Sequence, residues 1–304
     1  MAMCCCRKGK RNYFENKFSI LITGAASGIG KRIAIDIAVA NSSTCTLILL
    51  DIDSKKLEEV KSSIVTSNSK CIVAVYVCDT SSSIDVSKVL NEAKIYTNRF
   101  PIACIISNAG IVIGKDFDDL TSEDVEKTLR VNVFSSFNLL REILPSMKKQ
   151  GFGTICFTSS VMGLLGSSRL SDYCASKAAL NSLAESLRLE LSRDGFFEIY
   201  ICLAMPYAVR NVGMFSAIGA FISPRDWVRP FRDTLFPQIS DKDVSRSIID
   251  SIKQESHLTF TIPFHLYYLN ALMRLFLPLY FCDLVIGLFG GYHGLSRLHV
   301  PQER

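Results

Sequence analysis

The sequence predicts a doubly wound parallel α/β fold in a single domain, followed by a hydrophobic C-terminal helical extension. Three observations carry this. Six short apolar runs alternate with six stretches of helical periodicity. The runs are apolar throughout, not at every second residue, so both faces of the resulting sheet must be covered. A glycine-rich loop, "TGAASGIG" at 23–30, joins the first run to the first helical stretch. Right-handed crossovers between parallel strands then wind helices onto both faces.

The elements follow in order. Strands are expected at 18–23 ("FSILIT"), 45–51 ("CTLILLD"), 71–77 ("CIVAVYV"), 102–107 ("IACIIS"), 153–159 ("GTICFTS") and 198–204 ("EIYICLA"). Amphipathic helices are expected near 29–40, 54–67, 83–97, 121–149, 173–193 and 240–256. The segment 205–237 breaks this rhythm. It carries Pro206, Pro224, Pro230 and Pro237 with the only tryptophan, Trp227, and an irregular insertion after a strand's carboxyl end suits a substrate lid. The segment 258–292 is oily, with Arg274 and Asp283 as its only formal charges. Pro278 interrupts it, and no uncharged apolar run reaches the roughly 18 residues of a spanning helix. Two short helices lying in an interface or capping an apolar pocket fit it better. The chain divides into a basic cysteine-containing tail (1–17), the α/β domain (18–262) and the extension (263–304).

Composition narrows the function classes. Of the 304 residues, 48% are hydrophobic, and mean hydropathy is +0.25, high for a purely soluble protein. The net charge of +5 is concentrated at the start, where Arg7, Lys8, Lys10, Arg11 and Lys17 face only Glu15. A short basic tail suits acidic lipid, and a nucleic-acid partner is not expected because no folded basic face is indicated. The eleven cysteines form no CxxC pair, so no metal site is expected, and thiols are expected to be reduced and intracellular. No apolar secretory h-region occurs in 1–30. The four histidines, His257, His265, His293 and His299, all lie in the last fifth of the chain. A Ser-His-Asp hydrolase in the main body is therefore disfavoured, and proton transfer there must use another group.

The glycine loop reads as a phosphate cradle because it follows a strand and opens a helix. Gly24 permits the tight turn, Gly28 the close approach of backbone to a pyrophosphate, and Gly30 close packing behind the loop. The helix N-terminus adds free N–H groups and positive partial charge. Asp51 ends the second strand about twenty residues on, where a carboxylate reaches the adenosine ribose and repels a 2′-phosphate. Ile52 follows it, so NAD is favoured over NADP; Lys55 and Lys56 would soften this preference unless they lie on the solvated face of the next helix, which is expected. Asp79, after the third strand, is placed to meet the adenine edge or to cap a helix. Tyr173 and Lys177 in "YCASK" are four apart and share a helix face. A nearby ammonium, with the positive ring of an oxidised nicotinamide, would lower the phenol's pKa and fit it for proton exchange. Ser159 and Ser160 end the fifth strand, Asn108, Ala109 and Gly110 follow the fourth, and Asn132 sits inside an apolar helix, where an unpaired amide is costly and is expected either to distort the helix around a water or to find partners as an ordinary buried asparagine.

Together, TGxxxGxG, a carboxylate after strand two, NAG, a helix asparagine, a strand-end serine and YxxxK resemble the short-chain dehydrogenase/reductase family, of Rossmann-like fold, over 18–262. The resemblance implies Tyr173 as acid/base, with Lys177 binding the nicotinamide ribose and lowering the tyrosine pKa. It implies Ser160, thirteen residues before the tyrosine, polarising the substrate oxygen, and Asn132 anchoring a proton-relay water. Cofactor contacts are implied for Gly24, Ser27, Gly28, Ile29, Gly30, Asp51, Asp79, Asn108, Ala109, Gly110, Tyr173, Lys177, Pro206 and Asn211. One motif departs: after Pro206 the family's glycine is Tyr207 and its threonine position is Asn211, which retains a side-chain amide for the nicotinamide carboxamide.

The oily C-terminus is similar to that of the retinol and 17β-hydroxysteroid dehydrogenases of endoplasmic reticulum and lipid droplets. This implies an NAD-dependent oxidoreductase acting on lipophilic alcohols at the cytosolic face of the endoplasmic reticulum or on a droplet. Leu164, Leu165, Leu170 and Met205 would line its apolar pocket. Those relatives commonly begin with an apolar anchor; here Cys4, Cys5 and Cys6 stand beside the basic cluster, as acylation sites would. Relatives often pair through the helices near 121–149 and 173–193, so a homodimer is expected by analogy. An NADP-dependent carbonyl reductase, a cytoplasmic location and a non-catalytic droplet scaffold stay open as alternatives.

Overall fold

The computed structural model describes residues 18–40, 46–97, 100–209 and 239–288. Seven parallel strands form one sheet: β1 (Ser19–Thr23), β2 (Thr46–Asp51), β3 (Ile72–Val77), β4 (Ile102–Ser107), β5 (Gly153–Thr158), β6 (Ile199–Pro206) and β7 (Leu258–Ile262). Their order is β3-β2-β1-β4-β5-β6-β7. The winding direction reverses between β1 and β4, where a doubly wound sheet opens a crevice at its carboxyl edge.

Helices cover both faces. They are α1 (Gly28–Ala40), α2 (Ser54–Ser67), α3 (Ser83–Thr97), α4 (Ser122–Leu129), α5 (Ser135–Gln150), α6 (Ser171–Arg193) and α7 (Asp241–Lys253). Local chemistry sets several ends. Asp53 accepts the Lys56 N–H at the start of α2, and capping boxes Thr121/Asp124 and Ser240/Asp243 start α4 and α7. Gly151, at φ 82°, ends α5 in the left-handed conformation that a residue with a Cβ adopts at a cost. Buried residues recur at helical spacing, as Leu57, Val60 and Ile64 do in α2.

Two apolar cores result. Ile20, Ile22, Leu47 and Leu49 meet α1, α2 and α7 on one face, while Leu21, Ile48, Ile155 and Phe157 meet α3, α5 and α6 on the other. Successive residues of β1 and β2 thus serve opposite cores, which explains why these strands are apolar throughout. Each such side chain contributes about 1.5–3 kcal/mol.

The structure departs from expectation in two elements. The helix expected over 121–149 is α4 and α5 joined by a π-helical turn, Arg130–Phe134, containing Asn132. The apolar segment 258–292 begins with an edge strand, β7, paired to β6 from Cys202↔Leu258 to Pro206↔Ile262. β7 was hidden because its "LTFTI" sits at the head of a longer oily run. Beyond it, α8 (His265–Phe276) and α9 (Leu279–Leu288) are two short helices separated at Pro278. The tail 1–17, residues 210–238, which hold most of the expected lid and Asn211, and the chain beyond 288 lie outside the described residues.

Candidate active site

A cleft of about 830 Å³ runs along the carboxyl edge of the sheet. Gly24, Ser27, Gly28, Ile29, Asp51 and Asp79 line one part; Asn108, Ala109 and Gly110 line the middle; Ser160, Tyr173, Lys177, Pro206 and Tyr207 line the other part. Residues up to 183 positions apart meet because every one follows a strand's carboxyl end or starts a helix there.

The glycine loop is built as a cradle. Gly24 and Gly28 take φ of +63° and +55°, where a Cβ is disfavoured. A Cβ on Gly30 would come within 2.2 Å of the Gly24 carbonyl oxygen and 2.7 Å of the Asn108 amide. Gly30 therefore packs behind the loop and does not line the cleft. Helical bonding begins with the Lys31 N–H donating to Ser27 O at 3.1 Å, so the first N–H groups of α1 have no helical acceptor. These features fit a dinucleotide pyrophosphate.

Asp51 has two tasks. It lines the cleft, and its Oδ2 accepts the Ala26 N–H at 2.9 Å while Oδ1 accepts the Asp53 N–H at 3.1 Å. The carboxylate thus braces the glycine loop from the neighbouring strand. Lys56 pairs with Asp53 at 2.8 Å, and neither Lys55 nor Lys56 lines the cleft. Asp79 lines the cleft and also accepts the Ser81 N–H at 2.9 Å, so its binding and turn-forming readings coexist.

Sequence reasoning missed Thr23. Its buried Oγ1 accepts the N–H groups of Asn108 (2.9 Å) and Ala109 (3.0 Å), and the Asn108 amide donates to Thr23 O at 3.1 Å. The NAG segment is thereby tied to the glycine loop. The signal available was a polar residue at the carboxyl end of a buried strand, directly before the glycine loop.

At the far part, Tyr173 and Lys177 are both 3% exposed. The Lys177 ammonium donates to Thr158 O at 3.0 Å and lies 5.6 Å from the Tyr173 ring centroid. The Ser160 hydroxyl is hydrogen-bonded to the Tyr173 phenol. It also accepts the Met162 N–H at 3.1 Å and makes a long 3.4 Å contact to Pro206 O. Ser159 turns its hydroxyl away, donating to Asn181 Oδ1 at 2.7 Å. Of the two serines, Ser160 is thus the one bonded to the tyrosine.

In the protein without its cofactor, burial outweighs what lowers the Tyr173 pKa. Burial pushes the phenol well above its ordinary value, and the Ser160 hydrogen bond only partly opposes this. Burial also pulls Lys177 down from 10.5 to about 8.

Asn132 does not line the cleft. Its Oδ1 accepts the Ile111 N–H at 2.7 Å, and its Nδ2 donates to Ile111 O (3.0 Å) and Ser176 Oγ (2.9 Å). Ser176 donates in turn to Tyr173 O at 2.7 Å. The buried amide is satisfied and links the NAG segment to the tyrosine helix. The four apolar residues expected to line the pocket do not line this cleft: Met205 lies in the core, Leu170 packs on Tyr173, and Leu164 and Leu165 are half-buried in the segment between Ser160 and Tyr173.

Comparison with known proteins places this geometry. The short chain dehydrogenase family profile matches residues 19–221. A short-chain dehydrogenase/reductase family 16C member 6 from Bos taurus is 33% identical over 237 residues, 78% of this chain and 69% of the relative. Epidermal retinol dehydrogenase 2 from Mus musculus is 30% identical over 274 residues, 90% and 82% of the two chains. The 17-beta-hydroxysteroid dehydrogenase 13 from Homo sapiens is 30% identical over 265 residues, 85% and 79%. Among solved structures, a short-chain type dehydrogenase/reductase from Mycobacterium marinum superposes with a TM-score of 0.69 at 23% identity, over 82% of this chain and 94% of that one. At that identity the likeness speaks for the fold. With the profile covering about two thirds of its length, the chain belongs to the short chain dehydrogenase family and is an NAD(P)-dependent oxidoreductase acting on CH–OH groups.

Proposed function

We propose that the protein uses NAD to interconvert a lipophilic alcohol, retinol- or hydroxysteroid-like, and its carbonyl compound, with Tyr173 moving the proton. The observation that carries this reading is the buried Ser160–Tyr173–Lys177 set at one end of the cleft that Asp51 lines at the other. The names of the relatives, retinol and 17-beta-hydroxysteroid dehydrogenases, support the substrate class. Asp51 followed by Ile52, with the nearby Lys56 paired to Asp53 and outside the cleft lining, supports NAD, since a carboxylate accepts from ribose hydroxyls and repels a 2′-phosphate.

The residues Gly24, Ser27, Gly28 and Ile29 would hold the pyrophosphate, Asp51 and Asp79 the adenosine part, and Asn108, Ala109, Gly110, Lys177 and Pro206 the nicotinamide half. When bound, the nicotinamide supplies or accepts the hydride. Ser160 orients the reacting oxygen beside the Tyr173 phenol. In reduction, the neutral phenol donates its proton to the carbonyl oxygen; in oxidation, the phenolate takes the alcohol proton. Lys177, charged below about pH 8, favours that phenolate. Asn132 holds Ile111 and, through Ser176, the backbone of Tyr173, so its part is positional. We place the protein on a membrane or lipid-droplet surface. The exposed apolar side chains of α8 and α9 support this, and no helix among the described residues is long and apolar enough to cross a membrane.

The test is a screen of lipophilic alcohols with NAD and NADP. Oxidation of a retinoid or hydroxysteroid with NAD is expected, and Tyr173→Phe should lower it by about 10²–10⁴-fold. Undiminished turnover in that variant would sink the mechanism, and tighter binding of NADP than NAD would overturn the role given to Asp51.

A further inference from the structure

The segment 161–172 connects Ser160 to Tyr173, and its Met162 and Leu170 pack against the tyrosine. It is gripped from several sides. Val161–Gly163 form a 3₁₀ turn on Ser160, and the Asn181 amide donates to Gly163 O at 3.2 Å. A Cβ on Gly163 would come within 2.9 Å of Lys177 O, so the turn rests directly on α6. Arg169, at φ 62°, reaches Asp116 at 3.5 Å. The remaining grip comes from the C-terminal extension. Arg274 of α8 donates through Nη2 to Leu164 O at 2.7 Å, across 110 residues of sequence, while its Nε bonds Asn270 at 3.3 Å. Leu164 N–H donates back to Val161 O at 2.9 Å. Hydrogen bonds thus run from α8 to the turn that Ser160 caps.

The same helix shows a broad apolar face. Tyr268, Leu272, Leu275, Phe276, Leu279 and Tyr280 are exposed over α8 and the start of α9. Arg274 and Asp283 are the only formal charges in 258–292, and the basic tail 1–17 complements anionic lipid. A face of this size, too short to span a bilayer, suits the surface of one.

We propose that Arg274 is a positioning residue that joins the lipid-seated α8–α9 pair to the segment between Ser160 and Tyr173, so that seating on lipid orders the segment packed against the catalytic tyrosine. The kinetic part of this rests on the reading that the substrate is a lipophilic alcohol; the coupling itself does not.

Hydrogen–deuterium exchange of the full chain, with and without phosphatidylcholine/phosphatidylserine vesicles, tests the coupling without turnover. Vesicles should slow exchange in both 265–283 and 161–172 of the wild type. In Arg274→Gln, 265–283 should stay protected while 161–172 loses its protection. Protection of 161–172 that survives the substitution, or that never appears in the wild type, overturns the proposal. With a long lipophilic alcohol presented in the same vesicles, Arg274→Gln should raise KM roughly three- to tenfold, as expected for one hydrogen bond, with kcat kept. Arg274→Lys, which can still donate to the Leu164 carbonyl, should recover part of the loss. Equal falls in kcat and kcat/KM, or a matching fall in thermal stability, would indicate a merely structural role. A wild type that oxidises no lipophilic alcohol overturns the substrate reading and leaves the exchange result to judge the coupling.

Discussion

Lys177 concentrates the electrostatics of the site. Its ammonium is enclosed, bonded to one backbone carbonyl and has no carboxylate partner among the causes of its shift. Burial alone lowers its pKa from 10.5 to about 8. Between those values the unfolded chain holds the proton and the folded chain has released it, so this group makes stability rise with pH across the window. The full effect is roughly 3 kcal/mol. Above pH 10 the raised phenol of Tyr173 acts with opposite sign, because the unfolded chain then loses a proton that the folded chain retains. Lys177→Met should therefore flatten the rise in melting temperature between about pH 8 and 10, and should make the protein relatively more stable at pH 7 while abolishing turnover. An unchanged pH–stability curve would mean that the ammonium is not buried at a cost. The pairing of Tyr173 with Lys177 was legible in the sequence, since four residues on a helix share a face. The direction of the phenol's shift was not, because it depends on how completely the two are enclosed.

At the scale of elements, the β1–loop–α1 unit was legible almost in full. Its glycines are required by backbone geometry that the sequence alone dictates. Gly30→Ala puts a methyl group 2.2 Å from the Gly24 carbonyl, which must move. Overpacking of this kind costs about 1–3 kcal/mol. Calorimetry should show a lower melting temperature and weaker NAD binding together, since the displaced carbonyl belongs to the cradle. A variant with wild-type NAD affinity would show that the loop relaxes without cost. Other elements were less legible for physical reasons. β7 alternates Leu, Thr, Phe, Thr and Ile at a sheet edge and merges into the oily run behind it. A distortion at Asn132 was legible from its buried amide, but its partners in the π-helical turn Arg130–Phe134, Ile111 and Ser176, are distant in sequence. Thr23 gave no periodic signal, since its role is to receive two N–H groups from the turn after β4, eighty-five and eighty-six residues away.

For the whole molecule, the parallel sheet gathers the site at one edge and leaves α8 and α9 beside the end that holds Ser160 and Tyr173. The fold class was readable from strands that are apolar on both sides, because both cores demand it. The apolar excess of the C-terminus was equally visible, but its attachment through Arg274 was not, since that single cation bonds a backbone carbonyl that no sequence pattern marks. Leu275→Glu with Phe276→Glu places two carboxylates on the exposed face of α8. Sedimentation with anionic vesicles should show clearly weaker association for this pair of changes, and melting should shift little because neither side chain is buried. Unchanged sedimentation would move the lipid contact away from α8.

Asp51 carries a consequence for how the cofactor preference can change. Because the carboxylate proposed to meet the ribose also holds the Ala26 N–H, exchanging it to admit a 2′-phosphate would remove a strut from the phosphate loop in the same stroke. A lineage, or an engineer, moving this protein towards NADP would need a second substitution to re-brace Ala26, and the intermediate lacking it would bind either dinucleotide poorly. On that proposal, cofactor choice is a two-step trait with a weak middle.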